Sequence, residues 1–346
     1  IKDNDPLIFE KLKKGEFDYM TNYRSRVWVE ECTPEKVKSI DKGWLKMHRV
    51  FAQRPAGTSG YGFNMRKFPF NDKNIRYAFG YLYDREKMNR EMYYNQYEMM
   101  HSWLSGTMYE NEENPKLLFN PEKAMEHLKL AGFTKKNKNG ILINDAGQTL
   151  SFEIAAEKGQ TYMVTPVQNM LKQYGIDMQI INMDGTTEWK NRNERNFQIY
   201  IHSFTGSVHP QFEQWFRSDL ADQNDNTNFF GIKDDRIDQL IIDYNKEFDL
   251  NKRIEIGKEI DRIVCDIHPV SFGIKRLYTR LLFWDKFSYP EYMLDRFVGS
   301  WDSIYYLWWF DPEKVDQLEK AMENDTQLPV SDIDIRFWPD WIEKQK

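Results

Sequence analysis

The stretch that most constrains the fold covers residues 62–84, GFNMRKFPFNDKNIRYAFGYLYD. Its aromatic-rich opening predicts a short strand. Pro69 and the pair Asn71 and Asp72 then break this strand, because proline removes a donor and Asn and Asp favour turns and N-caps. Beyond the break, apolar residues recur at helical spacing and predict a helix that faces the core: Ile75, Ala78, Phe79 and Leu82. Many α/β folds share this order of strand, turn and amphipathic helix.

Length and composition narrow the class of protein. A chain of 346 residues is long for one domain, so we expect two lobes. The net charge of −6 gives no global positive field, and we expect no nucleic-acid partner. No apolar run approaches the roughly 20 residues that cross a membrane, and no signal segment opens the chain. The start at Ile1 is typical of a mature product or a fragment.

Motifs for catalysis and metal binding are sparse. The sequence contains no GxSxG, no P-loop, no GxGxxG and no CxxC. Its six histidines form no HxxxH or HxxEH pair, and His202 and His209, which flank one loop, are the one pair worth testing for a metal. Cys32 and Cys265 cannot form a zinc site unaided, and we expect two buried free thiols. We therefore predict no cofactor, no metal and no catalytic residue.

Later segments also predict an α/β architecture. Asn120 and Pro121 suit the N-cap and first position of a helix that ends at Gly132. A strand, a helix and a second strand predict a βαβ unit, at residues 150–155, 161–174 and 175–180. The predicted strand at 197–203 runs into the loop at 204–210, and loops at the carboxyl ends of strands are favoured ligand positions.

The run at 63–88, FNMRKFPFNDKNIRYAFGYLYDREKM, resembles the signature of the family 5 extracellular solute-binding proteins. These are the peptide- and nickel-binding receptors of ABC importers. In that family, an asparagine-containing strand meets a proline, an Asp/Asn turn, an arginine and an ALxxAxDRE helix. The matching positions here are Asn64, Pro69, Asp72, Arg76, Ala78, Asp84, Arg85 and Glu86.

Further landmarks follow in the family's order as far as about Lys314. YYNQYEMMHSWL at 93–104 is similar to the FYGQYxRxxSYF run of the branch that binds microcin C and oligopeptides. FWDKF at 283–287 and WDSIYYLWWFDP at 301–312 match C-terminal motifs of the same branch. The resemblance does not extend to the tail at 315–346.

The resemblance implies an α/β type II periplasmic binding protein, with two lobes, a hinge and mixed sheets flanked by helices. It divides the chain into part of lobe I and the hinge (1–62), lobe II (63–283) and a return to lobe I with a C-terminal tail (284–346). Family members are much longer at the N-terminus. The resemblance leaves open whether another chain supplies the missing part of lobe I.

The implied function is the substrate-binding component of an ABC importer. Such a receptor closes two lobes over an oligopeptide or peptide-like molecule and docks on the permease subunits. The implied location is periplasmic or extracellular, with a membrane-anchored lipoprotein as one form. The alternatives from other classes are a hydrolase acting on peptides or glycosides, and a lobe that serves only as a protein-interaction module.

The resemblance also directs attention to the loop after the strand at 197–203, where many oligopeptide-binding relatives have an Asp. That loop contains TGSV here, without an Asp. Because a peptide α-amino group calls for an acidic partner, we predict that role for the nearest acid, Glu213, with an ordinary surface carboxylate as the alternative. The other predicted ligand-binding residues are aromatic walls, a polar contact and a loop histidine: Phe204, Trp103, Trp215, Tyr97, Asn228 and His209.

Overall fold

The structure is a computed structural model that describes residues 5–21, 24–299 and 301–345. The chain divides into two compact units. Unit 1 comprises Ile1–Arg54, Asn89–Glu98 and Arg276–Lys346, and unit 2 comprises Pro55–Met88 and Met99–Lys275. The lobe boundaries that the resemblance implies stay predictions.

The strands of the described chain lie in both units. In order, they are β1 (Tyr19–Thr21), β2 (Leu45–Phe51), β3 (Thr58–Phe63), β4 (Glu98–Met99), β5 (Lys135–Lys136), β6 (Leu142–Ile143), β7 (Ser151–Ala156), β8 (Asp177–Asn182), β9 (Ile199–Phe204), β10 (Val270–Phe272), β11 (Ile274–Lys275), β12 (Tyr278–Trp284), β13 (Phe287–Ser288), β14 (Trp309–Phe310) and β15 (Asp334–Ile335).

The α-helices are α1 (Asp5–Lys13), α2 (Lys38–Asp41), α3 (Lys73–Leu82), α4 (Arg85–Tyr93), α5 (Pro121–Leu130), α6 (Thr161–Gln173), α7 (Gly185–Asn193), α8 (Glu213–Phe216), α9 (Asp235–Lys246), α10 (Leu250–Ile267), α11 (Ile304–Leu307), α12 (Pro312–Glu323) and α13 (Phe337–Glu343). Short turns of other helix types span Val27–Glu31, Ser218–Leu220 and Trp301–Ser303.

Unit 1 is built on a sheet with the order β1-β12-β2-β15. Strand β12 runs antiparallel to β1 and β2, and its register with β2 places Arg280 opposite Arg49. Alternate residues of β12 enter different apolar clusters, Leu282 with Leu45 and Phe283 with Val50. Because successive strand residues point to opposite faces, this sheet is covered on both sides.

The tail of the chain packs along β2 in unit 1. Leu328 donates its N–H to the Lys42 carbonyl, and the Trp44 indole N–H donates to the Thr326 carbonyl, both at 2.9 Å. Strand β15 then pairs in parallel with β2, where the Arg49 guanidinium binds both carboxylate oxygens of Asp334 at 2.5 and 2.8 Å. The segment outside the family resemblance is therefore an integral edge of this sheet.

Unit 2 is built on a five-stranded sheet with the order β10-β3-β9-β7-β8. Strands β7 and β8 are parallel and are connected by α6, which confirms the predicted βαβ unit. Helix α3 begins after Asp72, whose carboxylate accepts the Asn74 N–H at 2.7 Å, as the turn pattern predicts. Helix α3 buries its predicted stripe, and the Phe79 ring meets the Phe63 ring of β3 at 5.3 Å.

Candidate functional site

The candidate site lies in unit 2, where β9 ends. Strand β9 pairs with β3, so that Thr58 lies opposite Phe204. The chain segments that leave the two strands touch through their backbones. A Cβ added to Gly57, which has a φ of +71°, would lie 1.9 Å from the Phe204 carbonyl oxygen. Glycine at position 57 therefore permits this close approach, which fixes the start of the loop after Phe204.

Trp103 stands at the centre of an aromatic cluster in unit 2. Its ring centroid lies 5.2 Å from both His202 and Trp215, 5.0 Å from Phe216 and 5.7 Å from Phe230. The ring contacts with Trp215, Phe216 and Phe230 have edge-on geometry, which aromatic pairs favour. Trp103 is only 5% exposed, so it supports the walls of the site from behind.

A single buried carboxylate holds the segment that carries Trp103. Asp261 on α10 accepts hydrogen bonds from the Trp103 N–H at 3.1 Å and the Ser102 hydroxyl at 2.7 Å. It also accepts from the Asn111 N–H at 3.0 Å and the Asn114 amide at 2.6 Å. Burial raises the pKa of Asp261, while these hydrogen bonds favour its charged form. This network positions the loop of Trp103 on the helix.

Phe204 and Trp215 form the exposed edge of the cluster. Their ring centroids are 4.5 Å apart in an edge-on arrangement. Phe204 is 39% exposed, whereas Trp215 is 7% exposed and rests on Trp103. The structure therefore brings three of the predicted aromatic residues together, with Phe204 offering its ring to solvent on a rigid support.

Glu213 and His209 are both exposed side chains near this edge in sequence. Glu213 begins the short helix α8 that carries Trp215, and its carboxylate accepts a hydrogen bond from the Asn245 amide at 2.7 Å. The His209 Nδ1 lies 2.9 Å from the hydroxyl of buried Tyr109. Each residue thus has one protein partner and retains capacity for another hydrogen bond.

The Asn228 side chain uses its full hydrogen-bonding capacity inside the protein. Its amide N–H₂ donates to the carbonyls of Arg217 and Ile232, both at 3.0 Å. Its carbonyl oxygen accepts the N–H groups of Gly231 and Ile232 at 3.0 and 2.9 Å. These bonds tie together the turn after α8, and a ligand contact of Asn228 stays a prediction.

Tyr97 belongs to unit 1, whereas the other predicted site residues belong to unit 2. Its half-buried ring packs edge-on against Tyr93 at 5.2 Å. The guanidinium of Arg280 lies 6.0 Å from the centre of the Tyr97 ring. The predicted contribution of Tyr97 to ligand binding stays a prediction.

His202 is the buried member of the histidine pair that flanks the loop. Its Nδ1 lies 2.7 Å from the Tyr200 hydroxyl, and its Nε2 has no partner among the described residues. Burial lowers the pKa of His202 to about 3, and the positive charge of Arg192 acts in the same direction. Across the described ranges, no three His, Cys, Asp or Glu side chains are grouped so as to hold a metal ion.

Sequence analysis missed two buried charged residues, Asp261 and Arg280. Asp261 lies on the apolar stripe of α10, and Arg280 directly precedes the apolar run LLFW of β12. A single charged residue in an otherwise buried pattern is the signal that could have found both, because such residues are seldom fully buried without a partner.

A family comparison identifies the class of this protein. The model of the bacterial extracellular solute-binding proteins, family 5 (middle part), matches residues 3–226. The chain therefore belongs to this family, as its sequence motifs predict. Family 5 consists of binding proteins, which favours ligand binding over the hydrolase alternative.

Individual relatives have low sequence identity to this chain, but they agree with the predicted branch of the family. The uncharacterised protein YejA of Escherichia coli is 24% identical over 92% of this chain and 57% of its own length. The probable peptide-binding protein YejA of Agrobacterium fabrum is 23% identical over 87% of this chain and 54% of its own. These similarities confirm the predicted relation to the YejA-like branch. The chain spans about half the length of the relatives it matches.

A solved structure supports the predicted fold. The oligopeptide-binding protein AppA of Bacillus subtilis, in complex with a nonapeptide, superposes with a TM-score of 0.72 at 20% identity. The match covers 88% of this chain and 58% of AppA. The α/β fold of periplasmic binding proteins is thereby confirmed. In the described part of this chain, none of the helices has the length and apolar character that a membrane span requires.

Proposed function

We propose that this chain is part of the substrate-binding component of an ABC importer, with an oligopeptide or a peptide-like molecule as its ligand. Membership of family 5 supports the proposal, as do relatives named for peptide binding. The proposed partners are the permease subunits of the importer. The proposed location is periplasmic or extracellular, with a lipid anchor as one form, and the ligand leaves chemically unchanged.

The exposed ring of Phe204 is the observation that carries the proposal. It stands at the carboxyl end of β9, where α/β sheets usually bind ligands. Its ring packs against Trp215, which in turn packs against Trp103. An exposed aromatic surface can hold varied side chains by packing alone, which suits a receptor for peptides of several sequences.

Glu213 is the proposed partner of the peptide ammonium group. Its carboxylate is exposed and already oriented by the Asn245 amide. A charge-assisted hydrogen bond from an ammonium group to this oxygen pair would fix one end of the ligand. The closure of two lobes over the ligand, which the resemblance implies, stays a prediction.

Titration calorimetry with short peptides tests this proposal. We expect Phe204→Ala to weaken binding by about tenfold, the effect of losing roughly 1.4 kcal/mol from a contact at the centre of a site. Phe248→Ala is the matched control, because Phe248 is 94% exposed elsewhere in unit 2. Equal affinities of the wild-type chain and Phe204→Ala would contradict the placement of the site.

N-terminal acetylation of the peptide tests Glu213 separately. The acetylated peptide should bind more weakly than the free peptide, and Glu213→Gln should remove that difference. Glu112→Gln, a change at another exposed carboxylate, should preserve it. Peptides that fail to bind at all would contradict the proposed function, and peptides recovered as fragments would support the hydrolase alternative.

A further inference from the structure

Arg280 in unit 1 is buried, and the described residues provide no counter-ion for it. Its side chain has no exposed surface, and its one hydrogen bond runs from Nη2 to the Ser25 hydroxyl at 3.1 Å. Within the ranges that the structure describes, Nε and Nη1 have no hydrogen-bond partner and no carboxylate oxygen lies within 4.0 Å of the guanidinium. Because a buried charge is costly unless it is paired, this arrangement requires an explanation.

The neighbouring strand β2 carries a comparable arginine that has a counter-ion. Arg49 lies directly opposite Arg280 on β2, and like charges in that position repel each other. Arg49 is neutralised by Asp334 of the tail through two hydrogen bonds. Of the two facing arginines, therefore, only Arg280 lacks an acidic partner in the described chain.

Aromatic rings surround the Arg280 guanidinium without replacing a counter-ion. The ring centres of Tyr278, Trp28 and Tyr97 lie 5.6, 5.8 and 6.0 Å from the guanidinium carbon. All three rings lie within the distance of about 6 Å over which cation–π attraction stabilises a charge, but a ring face supplies no acceptor oxygen for the N–H groups. The rings leave the N–H groups of Nε and Nη1 without an acceptor among the described residues.

A cavity of about 530 Å³ lies on the same side of this sheet. Met47 and Arg49 of β2 line it, and they project to the same face as Arg280, because residues opposite each other in adjacent strands share a face. Trp28 lines the cavity and also faces the guanidinium, so this ring separates the two. The remaining walls are largely apolar and include Val29, Leu45, Ile40, Val330 and Ile333.

We propose that Arg280 anchors a carboxylate-binding site at this cavity, for a ligand that joins a carboxylate to an apolar group. The guanidinium would donate N–H groups that have no protein partner, from Nη1 or from Nε, to the carboxylate, and the cavity would take the apolar group. Binding requires the Trp28 or Tyr97 ring to turn aside, because Arg280 is fully covered in this structure. If the proposed function holds, the C-terminal residue of a peptide with an apolar side chain is such a ligand.

The first test uses small carboxylates and does not depend on peptide binding. Isovalerate should raise the melting temperature of the wild-type chain, and the uncharged isovaleramide should not. Arg280→Met should abolish the shift, while Arg262→Met, a change at an exposed arginine in unit 2, should preserve it. The same isovalerate shift in the wild-type chain and Arg280→Met, or none in the wild-type chain, would overturn the proposal.

The second test separates this proposal from the proposed function. We compare the tripeptide Ala-Ala-Leu with its C-terminal amide by titration calorimetry. The free acid should bind the wild-type chain on the order of tenfold more tightly, as a hydrogen bond to a charged group predicts, and Arg280→Met should bind both equally. Equal binding of acid and amide to the wild-type chain overturns the carboxylate site but leaves peptide binding intact. An isovalerate shift without peptide binding supports the site and overturns the proposed function.

Discussion

Arg85 in unit 2 and Arg280 in unit 1 are both buried, but they differ in the hydrogen bonds that the surrounding protein offers them. Arg85 in unit 2 donates to the carbonyls of Met100 and Phe272 through Nη1 at 2.5 and 3.1 Å, and to Leu117 through Nη2 at 2.6 Å. Among the described residues, Arg280 in unit 1 has a single hydrogen bond, to the Ser25 hydroxyl. Both side chains are at most 5% exposed, so burial does not explain the difference.

The comparison distinguishes a buried arginine whose hydrogen-bond donors the fold uses from one whose donors stay available to a ligand. Arg85 joins three chain segments by satisfying carbonyls that would otherwise be buried without donors, so its charge is part of the fold. Arg280 satisfies no backbone carbonyl in the described chain and retains two unused donors. A buried donor set that the fold does not use can serve a ligand.

The sharpest test of this comparison replaces each arginine by Met, which has similar length and no charge. Arg85→Met should lower the free energy of unfolding by about 4 kcal/mol, because it removes a cation and leaves several buried carbonyls without donors. Arg280→Met should leave the ligand-free stability unchanged or increase it. Urea denaturation measures both values, and equal losses in the two variants would contradict the distinction.

Asp261 extends the comparison to a buried anion. Asp261→Ala leaves two N–H groups, a hydroxyl and an amide without their acceptor, and should cost about 3 kcal/mol of stability. Asp261→Asn retains one carbonyl acceptor and should cost less. Chemical denaturation of both variants tests this, and equal losses would show that only the charge matters.

The pH dependence of unit 2 gives a smaller effect with a defined sign. The pKa of His202 is lowered to about 3 in the folded protein, below the value of about 6.5 in an unfolded chain. The unfolded state therefore takes up a proton first as the pH falls, and stability present above about pH 6.5 is lost toward pH 3. One such group contributes a loss of about 2 kcal/mol between pH 6.5 and pH 5.

His202→Gln should remove the part of the acid-induced loss of stability that His202 contributes. The amide oxygen of the new Gln side chain can still accept the hydrogen bond from the Tyr200 hydroxyl. His268 is equally buried, with a pKa also lowered to about 3 by burial, so part of the acid sensitivity should remain. His209→Gln is the exposed control. Urea denaturation at several pH values tests the prediction, and an unchanged pH slope in His202→Gln would contradict it.

Local signals made most of the fold predictable. Asn120 accepts the Lys123 N–H at 3.0 Å with Pro121 following, and Asp184 caps α7 in the same way. The motifs predicted the family, because each motif is a short run of residues that can be read directly from the sequence. The family resemblance directed attention to Phe204 and Trp215, and their contact with a ligand stays a prediction.

The sequence could not show which polar groups would be paired after folding. Asp261 and Trp103 lie far apart in the chain, and only the fold brings the carboxylate to the N–H of Trp103. The pairing of Asn228 within its own turn was likewise hidden, since an Asn in a loop is compatible with ligand binding and with turn formation. The sequence marks Arg280 as an unusual charged residue, but only the structure shows that Nε and Nη1 have no partner in the described chain.

Native mass spectrometry of the purified chain, after incubation with a defined pool of short peptides, tests directly whether this chain binds peptides. We expect a complex of one chain with one intact peptide, enriched in peptides with an apolar C-terminal residue and a free carboxylate. A bare chain at millimolar peptide concentrations, or a pool converted to fragments, would contradict the assignment of this chain to a peptide receptor.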